Sequence, residues 1–132
     1  MKNSILLLGL ATLFITLVAF APAQKSKPWP VPEKFEKMKN PVAADEASLK
    51  AGKSLYTKHC ESCHGKKGKG DGSKSAQLDT DPGNFPKDLP GQSDGALYYK
   101  IVEGRDDMPS FKKKIPDAED NWHIVNYMRT FK

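Results

Sequence analysis

Three stretches of the chain carry apolar residues at helical spacing, each bracketed by start and stop signals. In the first, Leu49, Gly52, Leu55, Tyr56 and Cys60 fall on one face of a helix running to about Cys60. Asp45 or Ser48 is placed to cap its N-terminus. Gly52 interrupts that apolar face, at a usual cost of about 1 kcal/mol relative to alanine. Its presence predicts a close crossing by another helix, with Tyr56 one turn further along. In the second stretch Leu97, Tyr98, Ile101 and Val102 share a face between a capping Ser93 and a terminating Gly104. The third opens on the acidic run Asp117-Ala118-Glu119-Asp120, which suits a helix N-terminus. Trp122, Ile124, Val125, Tyr127, Met128 and Phe131 then give it a broad apolar face. This last helix is the expected partner at Gly52, through Ile124 or Tyr127. No stretch reads as a convincing β-strand, so the pattern is all-α.

The connections differ in character. Residues 65–72 hold four glycines among lysines and Asp71, which predicts a loop. A phosphate-cradling role is excluded because no strand–loop–helix pattern frames it. Residues 78–90 contain Asp81-Pro82-Gly83 and Phe85-Pro86 and read as turns, with Leu78 and Phe85 as candidate pocket walls. Residues 24–44 form a Pro/Lys-rich linker or strap. Pro28, Pro30 and Pro32 favour extended polyproline II there and forbid a regular helix. A flexible tether and a packed strap are both open, with Trp29 and Phe35 arguing for packing.

Residues 1–23 are expected to be a secretory signal peptide: one lysine, an apolar run over residues 5–20, then Ala21-Pro22-Ala23 as a cleavage site. That run is shorter than the roughly 20 residues needed to span a bilayer, although a retained membrane anchor is the alternative. Residues 45–132 are then the folded domain. The formal charge of +5 is interleaved with acids, which excludes nucleic acid as a partner class and leaves room for an acidic protein surface.

The chemistry concentrates in Cys60-Glu61-Ser62-Cys63-His64, which holds both cysteines of the chain. Two thiols three positions apart and a following histidine read as a c-type haem attachment site. Each thiol can add to a porphyrin vinyl group, and His64 can supply the proximal imidazole to iron. A redox dithiol is the rival, but it expects a βαβ context that these residues do not provide. Export agrees with haem attachment, since outside the cytoplasm a free pair would otherwise be oxidised. A domain this small has a thin core, which a buried porphyrin would complete. The apoprotein is therefore expected to be poorly folded.

A sixth ligand is sought among the methionines and histidines. Met1 lies in the leader, Met38 in the linker, and Met128 at a core position of the last helix. Met108 alone lies in a loop, where Pro109 stiffens the chain beside its sulfur. His59 is expected to point away, and His123 to lie at the surface or an interface of the last helix. Packing filler is the other use of a loop methionine.

The helix Gly52…Tyr56…Cys60, the motif Cys60–Gly65, the loop Met108-Pro109-Ser110-Phe111 and the helix Trp122…Tyr127 together resemble class I c-type cytochromes of the bacterial monohaem group. The resemblance spans residues 44–132. It implies a small all-α fold, three to five helices wrapped around one covalently bound haem c, with the first and last helices crossing. It also implies Cys60 and Cys63 as thioether attachments and His64 and Met108 as axial ligands. Many members place a proline soon after the glycine-rich loop, whose carbonyl holds the proximal imidazole. Here the first proline after His64 is Pro82, so the carbonyl that orients His64 is left open.

The function expected is one-electron transfer between redox proteins, without catalysis, by an exported, periplasmic carrier. Membrane contact would come only through partner complexes or an uncleaved anchor. Lys66, Lys67, Lys112, Lys113 and Lys114 are expected around the haem edge, where they could steer an acidic partner. Two alternatives stand beside this. One is a haem-bearing subunit of a larger oxidase or dehydrogenase complex. The other is an open-site sensor or peroxidase, with Arg105 as the distal residue, if Met108 is not a ligand.

Overall fold

The computed structural model describes residues 28–132, so the expected signal peptide lies outside the described residues. The fold is built on three long helices, α2 (Glu46–His59), α5 (Asp94–Glu103) and α6 (Ala118–Met128). Single-turn helices α1 (Glu33–Glu36), α3 (Glu61–His64) and α4 (Phe85–Asp88) and a 3-10 turn (Ser75–Gln77) complete it. Among the described residues there is no β-strand, only an isolated bridge between Arg105 and Met108.

The caps explain where the long helices begin. Asp45 accepts from the Ser48 amide, Ser93 from Ala96 and Asp117 from Glu119, each satisfying an N-terminal donor that the helix itself cannot. Gly104, at φ 68°, ends α5. Pro86 falls in the first turn of α4, where the missing N–H costs no helical hydrogen bond. Residues 78–90 are therefore less irregular than their prolines suggest.

The α2–α6 crossing lies at Gly52. A Cβ there would stand 2.0 Å from the His123 carbonyl oxygen and 2.8 Å from Tyr127 Cβ, so only glycine permits the approach. Backbone and Tyr127 fill the notch. Below it the core gathers Tyr56, Leu89, Leu97, Ile101, Phe111, Ile115, Trp122, Ile124, Val125 and Met128. Buried polar groups stitch the ends. Asn126 donates to Ser48 Oγ (2.9 Å) and accepts from Asn40 Nδ2 (2.7 Å), and Ser48 Oγ pairs with His123 Nδ1 (2.8 Å). His123 is thus an interface residue. Arg129 in the last turn holds Asp94 Oδ1 through Nε (2.8 Å) and the Leu89 and Gln92 carbonyls through Nη1 and Nη2. That fork fixes the start of α5 against the end of α6.

The strap is packed where it is described. Phe35 lies on Tyr99 with ring centroids 4.8 Å apart, and Ser93 Oγ donates to Glu36 Oε2 at 2.9 Å.

Candidate functional site

The sequence Cys60–His64 turns straight out of α2 into α3, a single helical turn whose last carbonyls have no helical partners. The glycine-rich loop supplies them. Gly65 N–H donates to Glu61 O (2.8 Å), Lys74 to Ser62 O (2.8 Å), Gly72 to Cys63 O (3.2 Å) and Gly70 to His64 O (2.9 Å). A Cβ on Gly72 would lie 2.4 Å from Ser62 O, so this close backing needs glycine. Tyr56, wholly buried, donates its hydroxyl to Gly65 O at 2.7 Å. Burial raises its pKa, with smaller contributions from Cys60 and Tyr127, so it remains a donor. Lys66 and Lys67 of this loop were expected around the haem edge. The loop packs behind the attachment turn instead, because its amides are the donors those carbonyls require.

Cys60, Cys63, His64 and Met108 all line one cavity of about 710 Å³. Leu78, Phe85, Leu89, Leu97, Ile101 and Phe111 form apolar walls, the first two as expected. Burial, then proximity to Cys63, pushes the Cys60 thiol up to about 12, so it stands as a neutral apolar group. Burial also holds the His64 imidazole below its ordinary range, while the Pro82 backbone acts in the opposite direction. Proline has no N–H, so the acting group is its carbonyl. Nδ1 of His64 is buried without a hydrogen bond of good geometry. Phe85 stacks on the imidazole, 4.5 Å between centroids at 28°.

These features fit a haem. The volume lies in the roughly 300–1,000 Å³ range of cofactor pockets, with apolar walls beside polar and charged residues. Both thiols and the imidazole face it from one turn, and a thioether faces it from another segment.

Met108 is presented by a tight turn. Arg105 N–H donates to Met108 O (2.8 Å) and Met108 N–H to Arg105 O (2.9 Å), with Asp106 at φ 52° between them. Two side chains tether this turn to distant segments. Asp107 Oδ2 accepts from both the amide and the hydroxyl of Thr80, each at 2.8 Å, and these bonds hold its carboxyl below the usual range. The Arg105 guanidinium lies over Trp29 at 4.5 Å and donates through Nη1 to Pro28 O at 2.9 Å.

Other expectations need correction. Of the five lysines expected at the edge, only Lys114 lines the cavity, joined by Lys58, Lys74 and Lys100. The sequence shows the charges but not which loop faces the opening. His59 also lines the cavity, its ring 6.0 Å from Phe111, because α2 ends one residue before the attachment turn. Met128 lines it too while remaining in the core. Thr80, Asp107 and Trp29 were not singled out as site residues. Trp29 carried a signal, an aromatic in a proline-rich stretch, whereas nothing local marks a pair of residues 27 positions apart.

Residues 47–128 match the family model described as cytochrome c oxidase, cbb3-type, subunit III. Among solved structures the chain is similar to the c-type cytochrome KustC0563. Identity is 30%, the TM-score is 0.53, and the match covers 61% of this chain and 96% of that one. It also resembles a chain of the Kuenenia stuttgartiensis reducing HAO-like protein complex, at 24% identity and TM-score 0.63, over 81% of this chain and 52% of that one. A third is cytochrome CL of the marine methylotrophic bacterium Methylophaga aminisulfidivorans, at 24% identity and TM-score 0.50, over 65% of this chain and 56% of that one. The chain spans about half the length of these last two, which show the fold alone. No curated protein sequence matches it.

Proposed function

The chain belongs to the cbb3-type cytochrome c oxidase subunit III family, whose class I c-type cytochrome domain carries covalent haem c, and on that premise we propose an exported one-electron carrier with His64 and Met108 as axial ligands. The observation that carries this reading is that Met108 lines the same cavity as Cys60, Cys63 and His64, although it lies 44 positions after His64.

When bound, haem supplies a ferrous–ferric couple whose potential a methionine–histidine ligand pair raises. The chain's own residues do the rest. Cys60 and Cys63 form the thioether bonds, and α3 holds His64 beside them with its carbonyls satisfied by residues 65–74. Leu89, Leu97 and Ile101 give the cavity buried apolar walls. With His64 and Met108 both holding the iron, no coordination position would be left for a substrate, which favours electron exchange with redox partners over catalysis. The export reading rests on the composition of residues 1–23. Among the described residues no helix is long and apolar enough to cross a membrane.

Ferric protein should show the far-red methionine–iron charge-transfer band, and Met108→Ala should abolish it while the haem stays covalently attached. A wild-type protein without the band, whose ferrous form binds carbon monoxide readily, would end the carrier reading. The family description names an oxidase subunit, and one similar structure is part of a complex, which favours a second reading as a haem-bearing subunit. Stoichiometric partners retained through purification would select that reading.

A further inference from the structure

The strap before α2 lies outside residues 47–128, the stretch that matches the family model, yet it reaches the cavity. Pro28 and Trp29 both line it. The Trp29 ring carries the Arg105 guanidinium at 4.5 Å and Lys100 Nζ at 5.4 Å, and Pro28 O accepts from Arg105 Nη1 at 2.9 Å. Arg105 is also the first residue of the turn that presents Met108, joined to it by two backbone hydrogen bonds. Fixing Arg105 therefore fixes the start of that turn.

The strap's own position is fixed elsewhere, at α5. Gly95 is buried, and a Cβ on it would stand 1.9 Å from Phe35 O and 2.8 Å from both Met38 O and Met38 Cβ. The Phe35–Tyr99 ring contact and the Ser93–Glu36 hydrogen bond flank this approach. A glycine in the first turn of an otherwise regular helix is a poor helix former, and the close strap accounts for it.

We propose that Trp29 is a positioning residue for Met108, acting through Arg105, and that the strap is a built part of the sixth-ligand side of the site. This rests on the reading of Met108 as an axial ligand. Trp29 holds Arg105 at the turn's root, so its loss frees the turn to swing without removing the ligand.

The test is imidazole binding to the ferric holoprotein. In that exchange the thioether sulfur leaves and an imidazole nitrogen takes its place, with no change of oxidation state. Trp29→Ala should accelerate it by roughly two- to thirtyfold, the span that loss of a cation–π contact covers. Trp29→Phe, which keeps a ring face, should bind imidazole at close to the wild-type rate. Gly95→Ala should produce the same acceleration from outside the cavity, since it displaces the strap while improving the helix that carries it. Far-ultraviolet circular dichroism checks that each variant is folded. Wild-type rates in both alanine variants, with the far-red band intact, would overturn the proposal and leave Met108 ligation standing. A wild-type protein lacking that band would instead overturn the ligation reading, whatever the variants do.

Discussion

The His64 side of the cavity and the Met108 side are held by different kinds of contact. On the first, four backbone amides of residues 65–74 satisfy the carbonyls of α3, and a buried Tyr56 hydroxyl ties the same loop to α2. Each bonded pair here lies within 12 positions in the chain, Tyr56 and Gly65 included. On the second side, a four-residue turn is tethered by side chains from the strap and from residues near Thr80. Dense local backbone bonding makes His64 part of the fold. Sparse, long-range and partly exposed bonding makes Met108 separable from it. Damage on the His64 side should therefore cost folding free energy, whereas damage on the Met108 side should change ligation and leave stability nearly intact.

The strongest way to break that contrast is at Gly52, behind the His64 side. Gly52→Ala places a Cβ 2.0 Å from the His123 carbonyl, and backbone cannot swing aside as a side chain can. Overpacking of this kind should lower the unfolding free energy of the holoprotein by about 3 kcal/mol, measured by denaturant titration. Unchanged stability would mean that the crossing of α2 and α6 is not what supports the attachment turn.

A smaller effect is expected at Tyr56. Tyr56→Phe keeps the ring between Tyr127 and Phe131 but removes the hydroxyl, leaving Gly65 O with the Gly68 amide (3.1 Å) as its remaining donor. The loss should be about 1 kcal/mol, with the far-red band unaltered. Because burial raises the Tyr56 pKa above its ordinary value, the hydroxyl stays protonated below that ordinary value. The difference between wild type and variant should thus be constant from acid to neutral pH. A band lost in Tyr56→Phe would show that the two sides are coupled more tightly than their contacts indicate.

The same contrast decides what the sequence could show. Asp45, Ser93 and Asp117 announce the long helices because capping is a local contest between a side chain and the next few amides. Gly52 announces the crossing because a glycine on an apolar helical face has a cost that something must offset. The attachment motif is legible for the same reason, since thioether chemistry fixes its spacing. The glycines of residues 65–72 signalled freedom but not destination, and the loop's role behind α3 depends on where its amides meet carbonyls. The lysines near the cavity were visible only as charges. Thr80 and Asp107 are an ordinary threonine and aspartate until the fold brings them together.

That pair gives the mildest test, and it separates the two tethers of the Met108 turn. Thr80→Val keeps the side chain's shape and the backbone N–H that donates to Asp107, and removes only the hydroxyl donor. Both residues are exposed, so water can take the hydroxyl's place on the carboxylate. Unfolding free energy should stay within error of wild type. Imidazole should bind the ferric form no more than about twofold faster. Trp29→Ala should exceed this, because water cannot replace a ring face beneath a guanidinium as it replaces a hydroxyl. If Thr80→Val were instead the more damaging change, the turn would be held from the Thr80 side and the strap would be a passenger. The order of the two rates therefore identifies which distant segment keeps the thioether in the cavity.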